Sequence, residues 1–235
     1  MDKGKKEQTV EIKADHITLG GDLIVPDSAR GIVVFAHGSG SSRFSRRNQY
    51  VACVLQEEGF ATLLFDLLTR EEEMLDEETG EYRFNIRLLV DRMKSSTRWL
   101  LKNDDVKDLN VGYFGASTGA AAALIAAAEQ KDRIEAIVSR GGRPDLAADY
   151  LPQIKAPTLL IAGGDDSTVV ELNKKALQKL TAKKELVIIP GATHLFEEPG
   201  ALEAVAHAAA EWFTQYLAGD GNNIRKKVAT VNSGG

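Results

Sequence analysis

Residues 111–119 read Val111-Gly112-Tyr113-Phe114-Gly115-Ala116-Ser117-Thr118-Gly119, and the rest of the chain is best read outward from them. The first half, from Asn110 to Phe114, is a short apolar strand. The second half is G-x-S-x-G centred on Ser117, and an alanine-rich segment from Ala120 to Ala128 follows at once. A strand that turns directly into a helix through two glycines is the setting of a nucleophile elbow. Gly115 and Gly119 let neighbouring backbone pack around a sharp turn, which lifts the serine hydroxyl out of the sheet.

Upstream of this stretch the pattern is strand-rich. Thr9–Ile12, His16–Leu19 and Asp22–Val25 read as strands, and Gly20-Gly21 between the last two suggests a tight hairpin. Gly31–Ala36 is a continuous apolar run, as expected of a strand covered on both faces. The glycine- and serine-rich loop His37–Ser42 follows it, then a helix over 45–58 that stops at Gly59. Ala61–Phe65 is the next strand and ends at Asp66. Residues 67–83 are a long, mostly acidic connection, a candidate cap over a site or a solvated excursion. Asn85–Lys102 is amphipathic with helical spacing. Downstream, Ile134–Val138, Thr158–Ile161 and Leu186–Ile189 read as strands, and Ala201–Leu217 as a closing helix. Strands alternating with helices imply a mainly parallel, doubly wound α/β sheet with helices on both faces. Residues 1–218 are expected to form one domain, with 219–235, small and polar, a flexible tail.

The composition of the 235-residue chain, 43% hydrophobic and 27% charged, is that of an ordinary globular protein. A net charge of −5 argues against nucleic-acid binding, and no apolar run approaches membrane-spanning length. The single cysteine, Cys53, excludes an internal disulfide, and its apolar neighbours suggest a buried packing role. Together with the charged start of the chain this suggests a cytoplasmic protein.

A serine nucleophile needs a base, and the base needs an orienting acid. Of four histidines, His207 falls inside the last helix and His16 in the opening hairpin. His194 lies between the last strand and the last helix, in a loop at the carboxyl end of the sheet, where ligands bind in open α/β folds. It is the candidate base. The acid should follow another strand. Gly163-Gly164-Asp165-Asp166 does so, and spacing alone leaves Asp165 and Asp166 as alternatives, since either could instead cap the next helix. Two backbone N–H groups should face the oxygen that becomes negative in the transition state. Thr118, after the nucleophile, supplies one, and Ser39 in the loop His37-Gly38-Ser39-Gly40 is the candidate for the other. Arg43 and Arg140, both following strands, are candidate clamps for an anionic part of a substrate. No H-E-x-x-H motif or His/Cys cluster suggests a metal.

His37–Ser42, Gly115–Gly119, Gly163–Asp166 and Gly191–His194, in this order, resemble the corresponding motifs of the dienelactone hydrolase-like group of α/β-hydrolases. The resemblance covers the chain to about Leu217. It implies the α/β-hydrolase fold, a sheet of about eight strands with an antiparallel N-terminal strand or hairpin. It implies a Ser117–Asp166–His194 triad, because the group commonly reads G-G-x-D with the fourth residue as the acid. Dienelactone hydrolases carry a cysteine at the elbow. Ser117 in its place shifts the expectation from a dienelactone toward a general serine esterase for small carboxylic esters. Neither metal nor organic cofactor is then needed, and the protein is expected as a monomer or homodimer that binds no nucleic acid or membrane. Two other readings compete. Gly38-Ser39-Gly40 between strand and helix, with Asp66 ending the next strand, weakly fits dinucleotide binding, although Arg43 stands where a small residue is needed. A non-catalytic α/β-hydrolase that binds a small ligand or partner is the second.

Overall fold

The computed structural model describes residues 4–218, so the expected tail, 219–235, lies outside the described residues. The strands are β1 (Lys5–Ala14), β2 (Ile17–Pro26), β3 (Ile32–Ala36), β4 (Ala61–Phe65), β5 (Val111–Ala116), β6 (Ile134–Arg140), β7 (Thr158–Gly163) and β8 (Lys184–Ile189). They form one sheet in the order β1-β2-β4-β3-β5-β6-β7-β8. β1 and β2 are an antiparallel hairpin, and β2 pairs antiparallel with β4. From β4 to β8 every pairing is parallel. This is the α/β-hydrolase architecture. The short strands β3, β4 and β5 are buried along their whole length, which is why they read as unbroken apolar runs.

The helices are α1 (Arg46–Glu57), α2 (Arg70–Thr79), α3 (Ile86–Leu100), α4 (Thr118–Gln130), α5 (Ser167–Lys179) and α6 (Ala201–Tyr216). α1 and α6 cover one face, where Leu55, Phe60, Trp212 and Phe213 pack on Phe35 and Phe114. α3 and α4 cover the other, where Val90, Met93 and Leu124 meet Leu63 and Tyr113. α4 is buried on every side from Thr118 to Ala128. Its alanines allow the sheet and α3 to approach from opposite directions, and a larger residue at most of these positions would overpack the layer. No helix among the described residues is long and apolar enough to cross a membrane.

Three local readings of the sequence are corrected. The hairpin turns at Asp15-His16, with Ala14 opposite Ile17, while Gly20-Gly21 lies inside β2. Those glycines answer a demand for space instead: the Arg43 guanidinium lies over Gly20, and Phe65 and Val10 crowd Gly21. Residues 67–83, read as a long acidic connection with no element of its own, contain α2, which starts behind a capping box in which Thr69 and Glu72 satisfy each other's backbone N–H. Cys53 is exposed. Val51, Ala52 and Leu55 form the buried stripe of α1, and position 53 falls on its outer side.

The sheet order places the site. The connection from β3 runs to β4 on one side, whereas β5 lies on the other, so the chain reverses direction across the sheet between β3 and β5. Loops that leave the carboxyl ends of strands at such a point diverge and open a crevice. The oxyanion-loop candidate leaves β3 and the serine leaves β5, and Ala36 and Gly115 stand opposite each other at the two strand ends.

Candidate active site

Ser117 joins β5 to α4 with φ 52° and ψ −122°, a conformation that costs a non-glycine residue about 1–3 kcal/mol and is held only by its surroundings. Those surroundings are specific. Ser117 N–H donates to the Arg140 carbonyl at 3.2 Å, and Ser117 C=O accepts from Ala120 N–H at 3.1 Å and Arg143 N–H at 3.2 Å. A β-carbon at Gly119 would collide with the carbonyl oxygens of Ala36 and His37, and one at Gly115 with the Ala120 backbone. The two glycines therefore permit the close approach, and the serine carries the strain.

His194 and Asp166 meet. His194 Nδ1–H donates to Asp166 Oδ2 at 2.8 Å, which leaves Nε2 with its lone pair available. The other oxygen, Asp166 Oδ1, accepts from Val169 N–H at 3.2 Å and caps α5. The alternatives left by spacing merge in one residue, since Asp166 both caps the helix and orients the imidazole. Asp165 is exposed, and its recorded bond is a backbone one to Ala192 C=O at 3.0 Å. Ser117 and His194 converge around the end of β6. Ser117 is bonded to Arg140, and a β-carbon on the next residue, Gly141, would lie 3.5 Å from His194 Cε1. His207 is exposed on α6 beside Glu211, and His16 is exposed in the hairpin turn.

The fourth histidine has a role that the sequence reading missed. His37 is 6% exposed, with Nδ1–H donating to Gly38 C=O and Nε2 accepting from Leu67 N–H, each at 3.0 Å. Burial pushes the imidazole below its ordinary value against the Gly38 bond and the nearby Asp66 charge, so it stays neutral. It ties the loop after β3 to the chain after β4. With both nitrogens committed to backbone, it is no candidate base. The signal for this role was the position of His37 at the end of an apolar strand, where a buried polar side chain must find partners.

The loop after β3 departs from simple expectation. Ser39 N–H, the expected oxyanion donor, donates to Thr118 Oγ1 at 3.0 Å, and the two hydroxyls lie 2.9 Å apart. Ser39 Oγ–H continues the chain to Arg83 C=O at 3.3 Å. Thr118 N–H occupies the first turn of α4, where helix amides have no intrahelical acceptor. A cavity of about 240 Å³ opens beside this loop, between it and α2, with Ser39, Ser42, Leu68, Glu73, Arg83 and Thr118 on its walls. α2 is thus a wall, fixed at its far end by Asp76. Burial would push the Asp76 carboxyl up, but the amides of Arg83 and Tyr82 and the Arg83 guanidinium hold it below the usual range.

The two candidate arginines separate. Arg43 is spent on the protein: its guanidinium pairs with Asp66, its Nε lies 3.2 Å from Asp22 Oδ2, and its backbone N–H donates to Asp66 Oδ1 at 2.8 Å. This corrects its reading as a substrate clamp, and it also engages the aspartate that a dinucleotide ribose would need. Arg140 is 8% exposed and pairs with no carboxylate among the described residues. Among the described residues no group of three or more His, Cys, Asp or Glu side chains is arranged to hold a metal ion.

An α/β sheet with a strained serine at the β5–α4 turn and an aspartate-oriented histidine after β8 defines an α/β-hydrolase. The chain belongs to the dienelactone hydrolase family, whose family model matches residues 19–218. It is similar to a crystal structure of a dienelactone hydrolase from Anabaena variabilis, at 57% identity and a TM-score of 0.90, over 91% of this chain and 99% of that one. It is 55% identical over 216 residues to a Mycobacterium tuberculosis protein provisionally named a phosphoribosyl transferase. That match covers 92% of this chain and 48% of the relative, so the chain spans about half the length of the curated relatives it matches. Est1E from Butyrivibrio proteoclasticus, at 19% identity and a TM-score of 0.75 over 88% of this chain and 98% of its own, shares the fold.

Proposed function

We propose that the protein is a serine hydrolase of small carboxylic esters. The observation that carries this reading is the pairing of the strained Ser117 elbow with an imidazole whose Nδ1–H is held by Asp166. Ser117 Oγ attacks the ester carbonyl while His194 Nε2 takes its proton. The tetrahedral oxyanion collapses, the C–O bond to the alcohol breaks, and His194 returns the proton to the leaving oxygen. Water, deprotonated by the same imidazole, then releases the acid from the acyl-serine. Asp166 keeps the proton on Nδ1 and stabilises the imidazolium without itself being protonated. The amides of Thr118 and Ser39 face the oxyanion, and Ser39 N–H exchanges Thr118 Oγ1 for it as charge develops. The cavity between the oxyanion loop and α2 gives space for a small substituent of the ester.

Membership of the dienelactone hydrolase family supports hydrolysis in general, and the name of the Anabaena relative points to a cyclic ester. A lactone passes through the same steps, with the alcohol retained on the acyl-enzyme. The test is hydrolysis of short p-nitrophenyl esters and of a simple lactone by the wild type and by Ser117→Ala, His194→Ala, Asp165→Asn and Asp166→Asn. The expected result is loss of turnover at Ser117 and His194 and a sharp cut at Asp166 alone. Activity that survives Ser117→Ala would remove Ser117 from the nucleophile's role, and none in the wild type would leave a ligand-binding α/β-hydrolase.

A further inference from the structure

Asn173 lies seven residues after Asp166, two turns along α5, so both side chains leave the same side of the helix. Asn173 is fully buried, and its Nδ2–H groups donate to Gly142 C=O at 3.2 Å and to Val169 C=O at 2.8 Å. Two carbonyl oxygens face the same terminal atom, so that atom is the nitrogen. The bond to Val169, four residues back, fixes the rotamer on α5, and the bond to Gly142 reaches the loop that follows β6. Asn173 Oδ1 is buried with no hydrogen-bond partner among the described residues. The loop it touches is the platform of the site. Arg140 C=O at its start accepts Ser117 N–H, and Arg143 N–H at its end donates to Ser117 C=O. Gly141 lies against His194. A β-carbon at Gly142 would collide with Ser139 Oγ and Ala120 Cβ, so this residue is pressed between β6 and the start of α4, with its carbonyl turned to Asn173. Beyond it the Arg143 guanidinium grips Asp145 through two bonds, at 2.9 and 2.7 Å, which stiffens the turn.

A buried amide with an unmet oxygen costs more than an apolar side chain of similar size in the same place. At Asn173 that cost is offset by the grip on the loop. Ser117 needs such a grip, because its φ of 52° and ψ of −122° persist only while the surroundings over-determine them. We propose that Asn173 is a positioning residue of the site, which clamps residues 141–143 onto the elbow and keeps Ser117 in its strained conformation. α5 then sets two members of the triad at once. Asp166 orients the imidazole from the start of the helix, and Asn173 braces the serine from two turns further on. One helix thereby carries the spacing between acid and nucleophile. The clamp rests on the hydrolase reading for its purpose, but its effect on strain is measurable without turnover.

The strain is read as the difference in melting temperature between Ser117→Gly and Ser117→Ala, which differ only in the β-carbon. Glycine accepts this backbone conformation freely, so Ser117→Gly is expected to melt about 3 °C above Ser117→Ala. Adding Asn173→Leu to both should shrink the gap to about half or less, because a loosened loop lets the alanine relax. Adding Ile12→Ala, at the far edge of the sheet, should lower both melting temperatures and leave the gap whole. Asn173→Ala, which asks for no extra room, is read in the same way and decides the matter if leucine prevents folding. In the Ser117 enzyme, Asn173→Leu is expected to lower kcat on p-nitrophenyl acetate about tenfold, with KM changed by less than about twofold. No gap in the absence of Asn173→Leu would remove the strain, and an undiminished gap in its presence would make Asn173 an ordinary packing residue. Either result overturns the clamp. A rise in KM at unchanged kcat overturns it too, by moving the effect of Asn173 to substrate binding. Should the wild type not hydrolyse the ester, the hydrolase reading fails while the melting temperatures still decide the clamp.

Discussion

At the scale of single residues, Asp166 joins the start of a helix to the orientation of His194. One carboxylate oxygen caps α5 and the other holds His194, so the helix start fixes the direction from which the imidazole is gripped. Asn at this position keeps a capping oxygen but can present an amide to the ring, which selects the wrong tautomer. Asp166→Asn is therefore expected to lower kcat by about 10³–10⁴ with little change in stability, whereas Asp165→Asn, in an exposed side chain, should retain most turnover. Steady-state kinetics and a thermal melt on both variants check this together. His37 gives a prediction of opposite character. Its native pKa lies below the ordinary imidazole value, so as pH falls the unfolded chain takes up the proton first. Stability is expected to decline from about pH 6.5 downward through the native pKa. The urea midpoint should fall between pH 7 and pH 5 by less in His37→Gln, and an equal fall would place the titration elsewhere. The tie from His37 to Leu67, 30 positions away, is marked by no local pattern, whereas the role of Asp166 was implied by the family resemblance while spacing alone left Asp165 as an alternative.

At the scale of elements, the strands of the parallel sheet and the helices flanking the elbow were legible, because their apolar runs, caps and breakers agree. Ser45 caps α1 and Asn85 caps α3 where the sequence pattern starts each helix. The failures have different causes. The capping box of Thr69 and Glu72 was present in the chain, but an acidic run with few apolar residues hides a helix whose stability comes from ion pairs at its ends. α2 is held by Asp76 to Arg83 and by Glu72 to Arg92, the latter at 2.8 Å. Asp76→Ala is expected to cost about 2 kcal/mol of local stability. Hydrogen exchange should then accelerate across residues 70–85 more than in β5 or α4. A uniform acceleration would show that α2 opens only with the whole domain. Gly20-Gly21 misled for the reverse reason. A glycine pair fits a turn, but here it makes room for Arg43 and Phe65, contacts set by β4 and the loop before α1.

At the scale of the whole molecule, alternation of strand and helix announced a parallel sheet, yet the sequence did not give the strand order. The order comes from pairings distant in the chain, such as β2 with β4 and β3 with β5, which no local pattern encodes. That order makes the site, because it puts the reversal of direction between β3 and β5 and brings loops from β3, β5, β7 and β8 to one edge. Gly119 is the point where this arrangement is tightest, with α4 starting against the carbonyls that end β3. Gly119→Ala is expected to destabilise the domain by about 3 kcal/mol, visible as a lowered melting temperature, together with loss of turnover. A variant that kept both would show that α4 can shift away from β3 without disturbing the serine.

The proposed function turns on acylation of Ser117 during turnover. The most direct measurement mixes the protein with a p-nitrophenyl ester, follows p-nitrophenol release on the millisecond scale, and acid-quenches the reaction for peptide mass analysis. A burst of p-nitrophenol, or its accumulation in His194→Ala, should coincide with an acyl mass increment on the peptide that contains Ser117, and Ser117→Ala should show neither. Turnover by the wild type with no adduct on that peptide in either protein, or an undiminished burst in Ser117→Ala, would show that Ser117 is not the nucleophile.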